Sequence, residues 1–313
     1  MPTPTFSVIM PAFNAAATID AAMASVFAQT RQDFELVVVD DGSVDETSAH
    51  VTGLLGDPRV RLVQQENMGL AAARNTGIRE SRGRYLSLLD SDDMWMPGYL
   101  EAMERALEAD PGAGFAYTDA WALDDDTRRI RRKTAMANQR PPDPPPPDAG
   151  RLLAELLERN FVFVAATIPR HVLDEVGSFD ARLRSSEDYE LWLRIAAHGR
   201  HATRPPGLHA IYRLRSTSLS HDEEGMFASL GAVFRTVVEE HPVSEDIRSR
   251  ARARLRDIER RQAVLQGGRP FAARRLVTRR ALGRVQRRML DRRLWYGTPP
   301  AEVAAAFPDL GRV

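Results

Sequence analysis

The sequence predicts an α/β fold: a mostly parallel sheet flanked by helices, followed by a C-terminal helical extension. Three observations carry that prediction. Apolar or β-branched runs alternate with helical spacings from Phe6 to Ala109. Polar residues follow three of those runs, at Asn14, Asp40–Asp41 and Asp90–Asp93. From Gly225 to near Tyr296 the pattern turns helical and dense in arginine.

Phe6–Met10 reads as a buried strand, with Pro11, Ala12, Phe13 and Asn14 as the turn after it. Helical spacing over Thr18–Ala28 puts Ile19, Met23, Val26 and Phe27 on one side. Glu35–Val39 is a second strand, ending in Asp40, Asp41, Gly42 and Ser43; Ser43 and Glu46 have capping-box spacing. Val60–Val63 is a third strand, Leu70–Glu80 a helix and Tyr85–Leu89 a fourth strand. The fourth strand stops at Asp90, Ser91, Asp92 and Asp93. This set reads either as a solvated turn before the helix near Pro97 or as a cation and phosphate site. Clustered carboxylates repel, and Mg²⁺ or Mn²⁺ shared with a phosphate relieves that repulsion. In parallel sheets ligands bind beyond the carboxyl ends of the strands. The polar groups after strands one, two and four therefore converge on one edge.

Leu100–Ala109 is a helix and Gly114–Thr118 a fifth strand. Asp124–Gly150 contains RRIRRK and PPDPPPPD; residues near 139–149 form a loop or polyproline spacer, as an insertion or a lid. Leu152–Glu158 is a helix, Phe161–Ile168 a strand, and His171–Val176 a helix ended by Gly177. The loop Phe179–Ser186 delivers Glu187 and Asp188 to the start of the helix Tyr189–His198, whose Leu191, Trp192 and Ile195 face inward. A helix N-terminus favours a carboxylate, so capping alone accounts for one of these acids. His209–Tyr212 is a last strand, followed by the polar loop Arg213–His221. The expected division is a domain over 1–222 and an Arg-rich helical region over 223–313.

Composition narrows the function classes. The 313 residues have 43% hydrophobic content and a formal net charge of 0, with pI about 7.1. No global field favours nucleic acid. The chain has no Cys, which excludes disulfides and thiolate metal sites and fits a reducing compartment. The N-terminal stretch lacks the pattern of a signal peptide, and no apolar run is long enough to span a bilayer. The expectation is a cytoplasmic protein. Its basic C-terminal helices present either a solvated face or peripheral contact with the inner face of an anionic membrane. An oligomer is left open.

The carboxyl edge suits a nucleotide diphosphate. Base and ribose can lie over Pro11, Phe13 and Asn14. Asp41 can accept from a pyrimidine N–H, and Arg74 can reach the nucleotide or its phosphates. Asp90 and Asp92 can hold ribose and metal, the metal stabilising a departing diphosphate. One carboxylate opposite, Asp188 or Glu187, can deprotonate an attacking hydroxyl. The set describes glycosyl transfer with inversion. Neither a G-x-S-x-G motif nor a Gly-rich P-loop is present.

Four segments in order, SVIMPAFNAAATIDAAMASVFAQTRQDFELVVVDDGSVDET, ENMGLAAARNTGIRESRGRYLSLLDSDD, VGSFDARLRSSEDYELWLRIAAHG and YRLRSTSLS, resemble family 2 glycosyltransferases of the GT-A fold. The likeness covers most of residues 5–220. It implies a nucleotide-sugar donor, usually UDP- or dTDP-linked, a glycan or lipid-linked acceptor, and Mg²⁺ or Mn²⁺. It implies nucleotide contacts at Pro11, Phe13, Asp41 and Arg74, and a D-x-D motif at Asp90 and Asp92 with Asp93 adjacent. It also implies a catalytic base in the Glu187–Asp188 pair, assigned to Asp188. Many relatives carry a His where Arg215 stands. Arg215 cannot ligate a cation, so His221 substitutes, or Asp92 and phosphates hold the metal, or Arg215 steadies the diphosphate. The competing expectations are a non-catalytic nucleotide-sugar-binding protein on the same fold and a nucleotidyl-transferring or hydrolysing enzyme.

Overall fold

A computed structural model describes residues 3–215, 223–266 and 299–308. His221 and the arginines from Arg274 to Arg293 lie outside the described residues. Eleven strands and ten helices are described. In chain order they are β1 (Phe6–Ala12), α1 (Ile19–Phe27), β2 (Phe34–Asp40), α2 (Thr47–Thr52), β3 (Val60–Gln64), α3 (Leu70–Glu80), β4 (Tyr85–Leu88), β5 (Met94–Trp95) and α4 (Tyr99–Ala109). There follow β6 (Ala113–Tyr117), β7 (Asp119–Asp124), β8 (Arg129–Ile130), α5 (Ala149–Glu158), β9 (Ala166–Pro169), α6 (Arg170–Val176) and α7 (Glu187–Ala197). Last come β10 (His201–Thr203), β11 (Leu208–Leu214), α8 (Glu223–Glu239), α9 (Glu245–Gln266) and α10 (Ala301–Ala306).

The main sheet has seven strands in the order β10-β6-β9-β4-β1-β2-β3. Strands β1, β2, β3 and β4 are parallel, with Ile9 opposite Val37 and Leu88. Their near-continuous apolar sequences fit a sheet covered on both faces, and every residue of β1, β2 and β4 is buried. Parallel register carries Ala12, Asp40 and the 89–93 turn to one edge, as the sequence predicts. The sheet is not uniformly parallel, because β9 runs antiparallel to both β4 and β6.

A second sheet, β5-β11-β7-β8, was not foreseen. Two-residue strands such as β5 and β8 carry no periodicity, and β7 begins at a buried aspartate, Asp119. The expected strand over 161–168 shrinks to β9. Phe161 and Val162 are apolar because they are buried core, not because they join a ladder. The predicted capping box also fails, since α2 has no side-chain cap. Ser43 instead donates its N–H to Asp40 Oδ1 (2.9 Å), and Asp45 Oδ1 accepts from the N–H of Thr47 (3.0 Å). The proline-rich stretch ends in a true N-cap, Asp148, which accepts from the N–H of Arg151 at 2.8 Å.

Helices α8 and α9 contribute Val233, Phe234, Val237, Ala251 and Ile258 to the main core. Helix α10 packs Val303 into a smaller cluster against Met94, Met96 and Ile211 of the second sheet. Among the described residues no helix is long and apolar enough to cross a membrane.

One glycine sets how closely α3 lies on the sheet. A Cβ on Gly77 would sit 2.6 Å from Ile9 Cγ2 and 3.3 Å from Val39 Cγ2. Helix propensities of Gly and Val differ by little, whereas overpacking costs about 1–3 kcal/mol. Gly77→Val is expected to lower stability by about 2 kcal/mol, read from the midpoint of urea unfolding; an unchanged midpoint would show that α3 can lift away freely.

Candidate active site

A cleft of 1420 Å³ opens along the carboxyl edge of the main sheet. Its floor is built from the ends of β1 and β4, the N-terminus of α3 and the N-terminus of α7. Pro11, Phe13, Asn14, Asp41, Arg74, Asp90, Asp92, Glu187 and Asp188 all line it, together with Arg215. Asp93 does not. Its carboxylate turns away and accepts the backbone N–H of Arg213 at 2.8 Å. Burial first, then Asp92 and Asp90, push the Asp93 carboxyl well above the usual range.

The donor-side loops are braced by short polar bonds. Asn14 has φ 49°, a left-handed conformation that Asn tolerates better than most residues. Its N–H donates to Ser43 Oγ, and its Oδ1 accepts from the N–H of Val44, both at 2.9 Å. Asp41 is buried and accepts from Gln65 Nε2 (2.7 Å), Met68 N (2.9 Å) and Gly69 N (2.8 Å). A carboxylate has about four lone-pair sites, so Asp41 orients the 65–69 turn and keeps one acceptor for a ligand. Phe13 is 51% exposed and Met68 60%. Met68, absent from the sequence reading, offers a second apolar surface at the same mouth; its only signal was its place after Asn67 in a polar turn.

Arg74 lines the cleft from the first turns of α3, with its guanidinium held by protein carboxylates. It is 1% exposed, and its guanidinium donates to Asp90 Oδ1 at 2.5 Å and to Glu187 Oε1. The face of Phe179 lies 5.4 Å away. Burial opposes the charge, but Asp90, Glu187 and Asp188 outweigh it and raise the guanidinium's pKa further. Arg74 therefore links the two acidic groups, and Nε is the one guanidinium nitrogen with no partner among the described residues. The next residue, Asn75, exchanges two hydrogen bonds with the backbone of Phe179, at 2.8 and 2.9 Å. One turn of α3 thus positions the loop that leads into α7.

Helix α7 starts from Ser186, which adopts a left-handed φ of 60°. Left-handed non-glycine residues carry strain and cluster at functional sites. Glu187 is buried on Arg74, whereas Asp188 is half-buried and lines the cleft. Burial among protein atoms, then repulsion from Glu187, push the Asp188 carboxyl up to about 7, against the pull of Arg74 and the Tyr189 N–H.

Beyond β4, Arg213 ties the 90–93 turn to the second sheet. Its Nε donates to the Asp92 carbonyl (2.8 Å) and its Nη1 to Asp125 Oδ1 (2.7 Å). Arg215, two residues on and so on the same strand face, lies 4.0 Å from Asp92 Oδ2. Burial first and then Asp90 push Asp92 up to about 6, opposed by Arg215 and Arg213. Among the described residues no group of three or more acidic or histidine side chains could hold a metal. Asp92 and the second oxygen of Asp90 are what remains. That donor set fits a hard cation that takes its other ligands from phosphate and water. His209 lies off this site, bonded through Nε2 to the Pro206 carbonyl at 2.8 Å.

A cleft across the carboxyl ends of a mostly parallel sheet is the place where α/β proteins bind their ligands. Residues 7–190 match the family described as Glycosyl transferase family 2, and the chain belongs to that family. It is 35% identical over 220 residues to the succinoglycan biosynthesis protein ExoO of Rhizobium meliloti, a match covering 69% of this chain and 63% of that protein. It is 44% identical over 96 residues to the Escherichia coli UDP-Glc:alpha-D-GlcNAc-diphosphoundecaprenol beta-1,3-glucosyltransferase WfgD, covering 30% of this chain and 38% of that one. The chain thus matches less than two thirds of either relative's length. The GT-A expectation for the fold agrees with a solved mannosyltransferase from Pyrobaculum calidifontis in complex with GDP-Man and Mn²⁺. That structure aligns with TM-score 0.58 at 20% identity, over 90% of this chain and 80% of its own.

The raised Asp188 pKa has a defined effect on stability. An unfolded Asp titrates near 3.9, so between about pH 4 and 7 the native state holds more protons and stability falls as pH rises. Asp188→Asn is expected to flatten that slope in urea unfolding of the ligand-free protein measured from pH 4.5 to 8. An identical slope in the variant would show that the acid is not perturbed.

Proposed function

We propose that the protein is an inverting glycosyltransferase. It moves a sugar from a nucleotide-diphosphate-sugar, UDP- or dTDP-linked, to a hydroxyl of a glycan or lipid-linked acceptor. The observation that carries this reading is the pair of acidic groups set on either side of Arg74 in one cleft and joined by it. On one side lie Asp90 and Asp92, and on the other a single open carboxylate whose pKa lies near 7. A general base works best with a pKa near the operating pH. One such base, without a second carboxylate free to act as nucleophile, supports direct displacement, which inverts the anomeric centre.

In this reading Phe13, with Met68 beside it, receives the base. Asp41 keeps an acceptor for a ring N–H, and Arg215 faces the diphosphate. Asp92, with Asp90, would hold Mg²⁺ or Mn²⁺, which when bound neutralises charge on the departing nucleoside diphosphate. Asp188 takes the proton of the attacking hydroxyl, and Glu187, fixed by Arg74, holds the start of α7 in place. The names of the relatives support the class: one belongs to succinoglycan biosynthesis, and one uses a diphosphoundecaprenol-linked acceptor.

Two measurements test it. UDP, dTDP, GDP and CDP are each added during thermal melting, with Mn²⁺ or with chelator. At a hundred times its Kd a ligand adds about 2.7 kcal/mol, or roughly 5–10 °C in a chain of this size. One nucleotide is expected to give that shift with Mn²⁺ and a smaller one with chelator; equal shifts would assign the diphosphate to arginine alone, and no shift would remove the donor site.

With a transferable sugar in hand, kcat is expected to rise with pH through about 7 as Asp188 loses its proton. Asp188→Asn should lower kcat by about 10²–10⁴-fold with the nucleotide melting shift intact. Near-normal turnover in the variant, or a product retaining the donor's anomeric configuration by NMR, would refute the assignment.

A further inference from the structure

We infer that the corner between α8 and α9 is a positioning element for the base: Glu240 and His241 hold the loop before α7 and the first turn of α7, and so fix where Asp188 stands in the cleft. This rests on the transferase reading above, in which Asp188 takes the proton. It adds two residues that lie beyond the 7–190 span of the family match. Neither lines the cleft, so each acts through another side chain.

Residues 181–189 line the cleft in an unbroken run. Asn75 holds the backbone just before that run, at Phe179, and Arg74 holds Glu187 near its end. The α8–α9 corner holds its beginning. Arg182 Nη1 and Nη2 donate to Glu240 Oε1 and Oε2, each at 2.9 Å, as a two-pronged pair. The same guanidinium takes Asp180, with Nε donating to Oδ1 at 2.9 Å and Nη2 to Oδ2 at 2.8 Å. The Arg182 bonds hold the Glu240 carboxyl below its ordinary range. A lone exposed ion pair contributes little, whereas a bidentate pair within a network is the exception. Arg182 is 66% exposed along its side chain, so it buries little surface. What its fork supplies is direction.

His241 meets the helix itself. It is 4% exposed, and its Nε2 lies 3.1 Å from Oε1 of Glu190, two residues past Asp188, without the alignment of a hydrogen bond. Glu190 is also buried and is held by Arg194 through Nε (3.1 Å) and Nη2 (2.9 Å). Burying polar groups costs more than burying apolar ones, so packing alone does not call for His241 on Glu190. Burial, then Arg194, push the His241 ring down to about 4, which leaves it neutral at neutral pH. The corner is closed by Arg248 of α9, which donates to the carbonyls of Val238 and, at 3.3 Å, Val243. Val233 and Val237 of α8, both fully buried, seat it on the core. A corner closed and seated in this way meets both the loop and the helix that wall the cleft.

The test is carbon-13 titration of the Asp188 carboxyl in the full ligand-free chain, its resonance identified by its absence from Asp188→Asn. Glu187, Arg74 and Asp90 are the charged groups acting on Asp188, and the variants leave them in place. Arg182→Gln separates two effects of opposite sign. Loss of a cation alone raises a nearby acid's pKa, whereas a freed loop admits water and lowers it. A fall of about one pH unit toward the ordinary carboxylate value is expected. His241→Gln changes no charge at neutral pH and should act in the same direction. Amide exchange over 180–188 should quicken about tenfold in both variants, with that over 65–69 unchanged. The nucleotide melting shift with Mn²⁺ should persist. An unchanged or raised Asp188 pKa in Arg182→Gln, unchanged exchange over 180–188, or loss of the nucleotide shift would each overturn the inference. If Asp188 titrates near 4 in the native chain, or no nucleotide binds it, the transferase reading fails separately. Amide exchange in the two variants then decides whether the corner holds the loop.

Discussion

A buried arginine between two carboxylates organises this molecule. Arg74 bonds Asp90, 16 residues away, and Glu187, 113 residues away. An isolated charge taken out of water costs several kcal/mol, and removing one partner of a buried pair leaves that cost uncompensated. The guanidinium thus holds the turn after β4 and the start of α7 at a fixed separation. Everything nearby supports that span. Gly77 lets α3 settle on β1 and β2, and Asn75 clamps the backbone at Phe179. Arg194, lower on α7, donates to the carbonyls of Val176 (2.7 Å) and Ser178 (2.6 Å) and pairs with the buried Glu190.

The second sheet plays the corresponding role for the other acidic group. Strand β11 and the residue that follows it place Arg213 and Arg215 near Asp92 and Asp125. Arg213 is spent on the Asp92 carbonyl, the buried Asp93 and the half-buried Asp125, so it fixes the turn. Arg215, about a third exposed, remains available at the cleft. Two like residues two positions apart thus have different surroundings, because one lies under the turn and the other at its rim.

Much of this was readable from sequence, and the residues show why. The β1, β2 and β4 runs are buried on both faces, so their apolar character is continuous and their ends fall where Asp40 and Asp90 stand. Glu187 and Asp188 were legible as acids opening a helix. The side chains' partners were not. That Arg74 serves carboxylates, that Asp93 turns into β11, and that Asp41 holds the 65–69 turn depend on contacts between residues distant in sequence. Strands β5, β7, β8 and β10 escaped because each is short or polar at its start and is held by pairing. The Ser43–Glu46 spacing misled because Asp40 took the Ser43 N–H that Glu46 would accept in a capping box, while Asp45 took the N–H of Thr47.

The proline-rich stretch has a consequence for how the chain can vary. It is pinned at one end by Asp119, which accepts from Thr134 Oγ1 at 2.5 Å and the N–H of Met136 at 2.9 Å, and at the other by the Asp148 cap. Between those pins Asp143 accepts from Arg204 at 2.8 Å and Pro146 is buried, while doubling a flexible loop costs only about 0.6 kcal/mol in closure entropy. Met136 and Gln139 nevertheless sit on the cleft wall. The width of the entrance is therefore separable from the chemistry inside it: added length between the Asp143 contact and the Asp148 cap can shift the rim while Arg74 and its two carboxylates stay in register.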